Sequence, residues 1–286
     1  MNTEDLTVLI MGSSRPLLWP LMWKSFKKMC FTRRNLHVIV HEDSVIPDET
    51  RKVKDYVNSL DEVDKFRISE PKIGLGPAMT KMFELVDTKY MFYLQEDWQF
   101  ERPIDLDEIM FIMDQEDDVN LVFFNKYKNF PTLNGLSQEE ICHTGMWTCL
   151  FHGWTFLPGI WRTDFVKKHW RTREVRPEGY FTQAFEGRDD NEWCKKNLGA
   201  YIYGKQGDWR YVRHMGDSWR MADWRLENGQ PGGMIEPDEY SLAFRAPWLQ
   251  YSSIPENKNL QFDKKQFEKS LSEEPIEIQK ALKGVK

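Results

Sequence analysis

The sequence predicts an α/β fold, with a mostly parallel sheet carrying helices on both faces and a helical C-terminal extension. Three observations predict it. Short β-rich apolar runs alternate with helically spaced apolar segments over the first ~125 residues. Glycine and proline mark the joints between them. The chain has 286 residues, enough to bury a sizeable core in one extended domain.

Leu6 to Met11 is an apolar run ended by Gly12-Ser13-Ser14, and it reads as the first strand. Pro16 opens a helix, and Leu17 to Met29 has helical spacing. Leu36 to Val40 reads as the second strand, Glu49 to Leu60 as a helix and Phe66 to Ile68 as a short third strand. Gly74-Leu75-Gly76-Pro77 breaks the chain, with Pro77 starting a helix that runs through Val86. Tyr90 to Leu94 is a fourth, buried strand. A helix over Leu106 to Met113 leads to a fifth strand, Val119 to Phe124. Ligands of such sheets sit beyond the carboxyl ends of the strands, so chemistry is sought in the residues just after each one.

The second half is less regular and rich in Trp, His and paired acids. A Pro- and Gly-rich stretch, Asn228 to Pro237, separates it from a charged tail. In that tail Phe262, Phe267, Leu271, Ile276, Ile278 and Leu282 are spaced to pack one or two helices on the outside of the domain.

Composition narrows the function classes. Net charge is -6 and the isoelectric point is 5.6. No Lys/Arg run is long enough to track a phosphate backbone, which disfavours tight non-specific DNA binding. A local basic patch, Lys167 to Arg176, survives that argument. The aromatic fraction is 14%, with 12 Trp, a residue that stacks on sugars or bases as readily as it fills cores. The four cysteines form no disulfide framework in a chain of this length. No apolar stretch is long enough to span a bilayer and no signal peptide is evident, so the expectation is a cytoplasmic protein. Cys142, His143, Cys149 and His152 crowd together, but their spacing matches no common zinc finger.

The central clue is Tyr90-Met-Phe-Tyr-Leu94-Gln95-Glu96-Asp97-Trp98, a buried strand ending in two adjacent acids. Acids are common at any strand exit. At the carboxyl end of a central strand they also face the ligand crevice, where hard oxygens suit Mg²⁺ or Mn²⁺ bridged by phosphates.

This segment resembles the acidic metal-binding signature of GT-A glycosyltransferases, whose sheet is Rossmann-like. The approach to it is similar too. Gly74-Leu-Gly-Pro-Ala78-Met-Thr-Lys81, followed by Phe83-Glu-Leu-Val-Asp87-Thr-Lys-Tyr90, resembles the Gly-rich turn and helix before the triplet. Thr7-Val-Leu-Ile-Met11 to Arg15-Pro16 resembles the first nucleotide-binding loop. The likeness extends over about residues 5 to 220, as several weak motifs in the correct order. It implies a GT-A domain over 1–220, with 221–286 as an extension packed on it.

The resemblance implies roles for particular residues. Asp97 closes the triplet and is the metal ligand. Gln95 departs from the acidic pattern at its first position, and Glu96 is placed at the ribose or the donor sugar, or as a support of the loop. Arg15, Glu42 and Asp43 follow the first two strands and, with Gly76 and Lys81, belong to the donor-binding end. Gly187-Arg188-Asp189-Asp190-Asn191-Glu192 is a second acidic cluster, leading into a helix whose dipole such acids also suit. Relatives similar to the glycosyltransferase 2 group carry their catalytic base there, which implies Asp190, with Asp189 as the alternative. A base is needed because a sugar hydroxyl is a poor nucleophile, and a positioned carboxylate contributes about 10²- to 10⁴-fold. His214, after the short strand-like run Trp209 to Arg213, resembles a further metal or diphosphate ligand. Trp154 and Trp161, in a segment resembling the one beneath the acceptor, suit either a stacking wall or the core.

The resulting expectation is a metal-dependent glycosyltransferase using Mn²⁺ or Mg²⁺ and a UDP- or GDP-sugar, inverting in the favoured reading, with a retaining outcome left open because sequence does not show which face the acceptor approaches. Its partners are the nucleotide sugar and a glycan or other hydroxyl acceptor, a modified DNA base among the candidates. Two other readings remain. A nucleotidyltransferase also combines nucleotide, metal and parallel sheet, but Gly12-Ser13-Ser14-Arg15-Pro16 is a poor version of its Gly-rich loop. A non-catalytic carbohydrate- or nucleic-acid-binding module would use the Trp-rich half.

Overall fold

A computed structural model describes residues 2–44, 46–125, 140–143, 146–151, 154–170, 199–204 and 210–215. The first elements are β1 (Asn2–Gly12), α1 (Leu18–Met29), β2 (Cys30–Phe31), β3 (Asn35–Asp43), α2 (Pro47–Asn58) and β4 (Val63–Ser69). Next come α3 (Leu75–Phe83), β5 (Thr88–Gln95), β6 (Trp98–Phe100), β7 (Ile104–Asp105), α4 (Leu106–Gln115) and β8 (Leu121–Phe124). The rest are β9 (Glu140–His143), β10 (Met146–Phe151), β11 (Gly159–Arg162), α5 (Thr163–His169), β12 (Ala200–Tyr203) and β13 (Val212–His214).

The main sheet has nine strands in the order β4-β3-β1-β5-β11-β8-β12-β10-β9. The strands β4, β3, β1 and β5 are mutually parallel. β11 runs against both of its neighbours, β5 and β8. β12 is parallel to β8, and β10 is antiparallel to β12 and to β9. The expected alternation of strand and helix is therefore present, as is the largely parallel sheet.

Period-2 alternation along β1 divides the core between the two faces of this sheet. Leu6, Val8 and Ile10 pack with Trp19, Met22, Trp23 and Phe26 of α1, Val53 of α2, and Ile109 and Met113 of α4. Leu9 and Met11 pack in the opposite cluster, with Met79, Met82 and Phe83 of α3 and Val166 of α5. Two helix starts show how the sequence sets them. Pro47 opens α2, with Asp48 and Glu49 in its first turn, where acids complement the dipole. Asp105 caps α4 by accepting from the backbone N–H of Asp107 and Glu108 at 3.0 and 3.1 Å.

Among the boundaries that differ from the sequence reading, two bear on the site. β3 runs three residues past Val40, so Glu42 and Asp43 finish the strand rather than follow it. α3 begins at Leu75, not Pro77. The Asp43 carboxylate accepts from Ile73 N–H and Gly74 N–H at 2.8 and 2.9 Å. Gly74 takes φ +84°, a turn that glycine accommodates without strain. Pro77 then sits within the first turn, where an N–H has no helical partner to lose.

Trp154 and Trp161 are core residues. Trp161 is fully buried and stacks on Tyr93 at 4.8 Å, and Trp154 meets Trp161 edge-on at 5.3 Å. The Cys142, His143 and Cys149 backbones lie on the β9–β10 hairpin, and their side chains, like His152, fall outside the described residues. The extension over 221–286 and the second acidic cluster, with Asp189 and Asp190, also fall outside them. Among the described residues no helix is long and apolar enough to cross a membrane.

Candidate functional site

Register brings the site together. Gly12 at the end of β1 is paired with Glu42 of β3, and Met11 with Gln95 of β5. The carboxyl ends of three adjacent parallel strands therefore present Gly12 to Arg15, Glu42-Asp43 and Gln95 to Asp97 side by side. Glu96 N–H extends the ladder one step, donating to Met11 C=O at 3.1 Å.

The turn after β1 is tightly held. Ser14 has φ +55°, unusual for a residue with a side chain. Its hydroxyl accepts from Ile46 N–H at 3.0 Å and bonds the Thr50 hydroxyl at 2.9 Å. Its N–H donates to Glu42 Oε1. Gly12 leaves room for that carboxylate, since a Cβ there would lie 2.1 Å from Glu42 Oε2 and 2.8 Å from the Trp19 ring.

Arg15 then reaches across the crevice. Its Nε donates to Glu96 Oε1 at 2.7 Å and its Nη1 to Asp97 Oδ2 at 2.8 Å. Ser13 N–H donates to the same Glu96 oxygen at 2.7 Å. From the other side His214 Nε2 lies 3.0 Å from Asp97 Oδ2. The antiparallel pair β6–β13 delivers that imidazole, which stacks on Trp98 at 4.3 Å. Met215 N–H closes the junction on Asp97 C=O at 2.8 Å.

The three carboxylates respond differently to one environment. Burial, and then Glu96, push the Glu42 carboxyl up to about 8, so it is largely neutral at pH 7. Burial also raises the Glu96 carboxyl, against the pull of Arg15. Burial works the same way on Asp97, but Arg15 and His214 outweigh it and hold that carboxyl well below the usual range. Burial opposes the charge on Arg15, and Asp97 and Glu96 outweigh it in turn, so the guanidinium stays protonated.

Of the residues singled out in the sequence, Arg15, Glu42, Glu96, Asp97 and His214 form one cluster. Asp43 instead fixes the turn into α3. Gly76 lies in the first turn of α3 and Lys81 is exposed in its last. No hydrogen bond or ion pair joins these two to the cluster among the described residues. Gln95 donates to the Tyr93 hydroxyl at 2.6 Å. Ser13, Ser14 and Trp98 complete the site without having been singled out. Gly12-Ser13-Ser14 signalled a turn, but its donors meet acids far along the chain, and no local pattern specifies such partners.

The donor set fits a hard divalent cation at Asp97 and His214. Asp97 Oδ1 is buried without a hydrogen-bond partner among the described residues. Such cations are held by one or two carboxylates, with phosphate oxygens and water completing the shell. Among the described residues no group of three potential side-chain ligands occurs.

No protein-family model and no curated protein sequence matches the chain. Among solved structures it matches S. aureus TarS, a GT-A glycosyltransferase, with TM-score 0.50 and 11% identity, over 96% of this chain and 50% of that one. The chain has a GT-A fold. The mannosyltransferase PcManGT from Pyrobaculum calidifontis, in complex with GDP-Man and Mn²⁺, gives TM-score 0.49 and 9% identity over 99% of this chain and 80% of that one. GalNAc-T7, with UDP, GalNAc and Mn²⁺, gives 0.49 and 11% over 89% and 52%. The chain spans half the length of the TarS structure, and at these identities the likeness carries the GT-A fold alone.

Proposed function

We propose that the protein is a glycosyltransferase that moves a sugar from a nucleotide-sugar donor to an acceptor hydroxyl, with inversion. The observation that carries this reading is the buried cluster of Arg15, Glu42, Glu96, Asp97 and His214. It lies at the carboxyl ends of β1, β3 and β5, where open α/β sheets bind their ligands. A UDP- or GDP-sugar is the proposed donor. S. aureus TarS, which shares the fold, has also been solved with UDP-GlcNAc.

In this reading Asp97 and His214 hold Mn²⁺ or Mg²⁺. When bound, the ion supplies positive charge against the diphosphate leaving group. Arg15 faces the same diphosphate. Glu42, as a neutral acid, offers a hydrogen bond at the nucleotide end, with Asp43, Gly76 and Lys81 shaping that side. Glu96 orients Arg15 through its Nε. Asp190 takes the proton from the acceptor hydroxyl, with Asp189 as the alternative. The hydroxyl oxygen bonds to the anomeric carbon, and the carbon–oxygen bond to the diphosphate breaks with its electron pair leaving on the nucleotide.

The test is a thermal-shift screen of UDP- and GDP-sugars with and without Mn²⁺, followed by transfer assays. A ligand at 100 times its Kd adds about 2.7 kcal/mol of stability. One donor should raise the melting temperature, and Mn²⁺ should enlarge the shift. With that donor, Asp190→Asn should cut transfer by about 10²-fold or more while leaving the shift intact. Asp189→Asn is the control, and a swap of the two results would move the base to Asp189. No shift with any nucleotide sugar overturns the reading.

A further inference from the structure

The feature that the proposed reaction does not itself require is the double grip of Arg15 on the acids of the triplet. The guanidinium spends Nε on Glu96 and Nη1 on Asp97, while its side chain stays 17% exposed. The oxygen it takes on Asp97, Oδ2, is the same one that His214 Nε2 approaches. The other oxygen, Oδ1, is buried and has no hydrogen-bond partner among the described residues. Asp97 is thus a carboxylate with one oxygen doubly engaged and one idle. Such a buried charge is tolerated because a cation stands beside it, and here that cation is part of the chain.

A divalent ion held by Asp97 and His214 converges on the carboxylate that Arg15 already neutralises. Two cations crowded on one carboxylate in a buried site repel each other strongly. Arg15 is equipped to yield without leaving, because Nε remains on Glu96 Oε1, which Ser13 N–H also anchors. Turning Nη1 away from Asp97 gives the guanidinium edge a new need for an anion. A diphosphate entering with the metal meets that need, and a guanidinium fork suits phosphate oxygens.

We propose that Arg15 is an internal counter-ion that competes with the divalent cation for Asp97 and, once displaced, becomes a ligand of the donor diphosphate. Cation and nucleotide are then coupled through one side chain. Each strengthens the other's binding, since the cation frees the guanidinium that the diphosphate needs, and linkage makes the effect reciprocal. This rests on the donor site proposed above and adds a specific device to it.

The decisive measurement is Mn²⁺ binding to the nucleotide-free full-length protein, by calorimetry. Arg15→Gln removes the competing charge and should bind Mn²⁺ about tenfold more tightly than the wild type or better. With UDP or GDP present, wild-type Mn²⁺ affinity should rise, and in Arg15→Gln that rise should be smaller, leaving only the direct contact of ion and diphosphate. Equal or weaker Mn²⁺ binding by a folded Arg15→Gln overturns the proposal. If that variant does not fold, Arg15→Lys decides. Its compact ammonium cannot grip both acids as a fork does, so Mn²⁺ affinity should rise by a smaller factor. A value at or below wild type overturns the proposal. Absence of UDP and GDP binding by the wild type would count against the glycosyltransferase reading, while the nucleotide-free Mn²⁺ comparison still judges Arg15.

Discussion

Glu42 and Asp97 close neighbouring regions of one crevice, both buried, and they carry opposite protonation behaviour. Glu42, at the end of β3, keeps an Oε2 atom without a hydrogen-bond partner among the described residues, and its carboxyl is pushed up to about 8. Asp97, just past β5, is pulled well below the ordinary range by Arg15 and His214 despite the same burial. Burial alone would neutralise both acids. What separates them is the pair of partners at Asp97, since Arg15 and His214 both bond that acid and the guanidinium stops short of a bond to Glu42. A single fold position thus yields a hydrogen-bond donor on one side and a fixed anion on the other.

The strongest way to break this contrast is Asp97→Asn. It should abolish Mn²⁺-dependent nucleotide binding in calorimetry, and unchanged binding would remove Asp97 from the metal site. It should also cost about 3–5 kcal/mol of stability at pH 7, because Arg15 and His214 lose a charged partner. A depressed carboxyl contributes stability above its unfolded value and loses it only as pH falls through the folded one. The difference between wild type and variant in urea melts should therefore persist across neutral pH and shrink only in strong acid.

Glu42→Gln tests the other side and should have the opposite sign. A carboxyl raised to about 8 from 4.5 favours folding less and less as pH climbs through that window. The wild type should lose stability between about pH 5 and pH 8, while the variant stays flat. At pH 8 Glu42→Gln should be the more stable protein, by about 4 kcal/mol. A variant less stable than wild type at pH 8 would mean that Glu42 is ionised and paired after all.

A smaller effect is expected from Gly12→Ala. The added methyl would fall 2.1 Å from Glu42 Oε2, and overpacking of this kind costs about 1–3 kcal/mol. Repeating it in a Glu42→Ala background should recover most of the loss, a coupling that a double-mutant cycle reads directly. Additive costs would show that the Trp19 ring, and not the carboxylate, sets the limit.

Much of the parallel half was legible in the sequence, because its signals are local. Alternating apolar runs, Gly12-Ser13-Ser14 and Gly74-Leu75-Gly76-Pro77 each announce an element or a joint within a few residues. The exit of β5 into Glu96-Asp97 was legible for the same reason. What escaped is long-range. Gly159-Ile-Trp-Arg162 reads only as a short apolar run, and nothing in it says that the strand inserts antiparallel between β5 and β8. Arg15 was readable as a residue of the donor end, but its bonds span 81 and 82 positions. The Trp-rich segment offered sugar stacking or core in equal measure, and packing against Tyr93 and Phe156 decides it for the core.

The β6–β13 ribbon carries a consequence for how the molecule comes into being. Asp97 meets His214 across 117 residues, and the Trp98 strand finds its only partner in Val212–His214 among the described residues. On a ribosome, the parallel strands that display Arg15, Glu42 and Asp97 are all synthesised long before that imidazole emerges. The loop that joins them must be closed against chain entropy before the contact returns anything, which makes this junction among the slowest to form. A nascent chain stopped short of His214 would hold its acids in register and still lack one wall of the crevice. Completion of the site is thereby tied to synthesis of the second half.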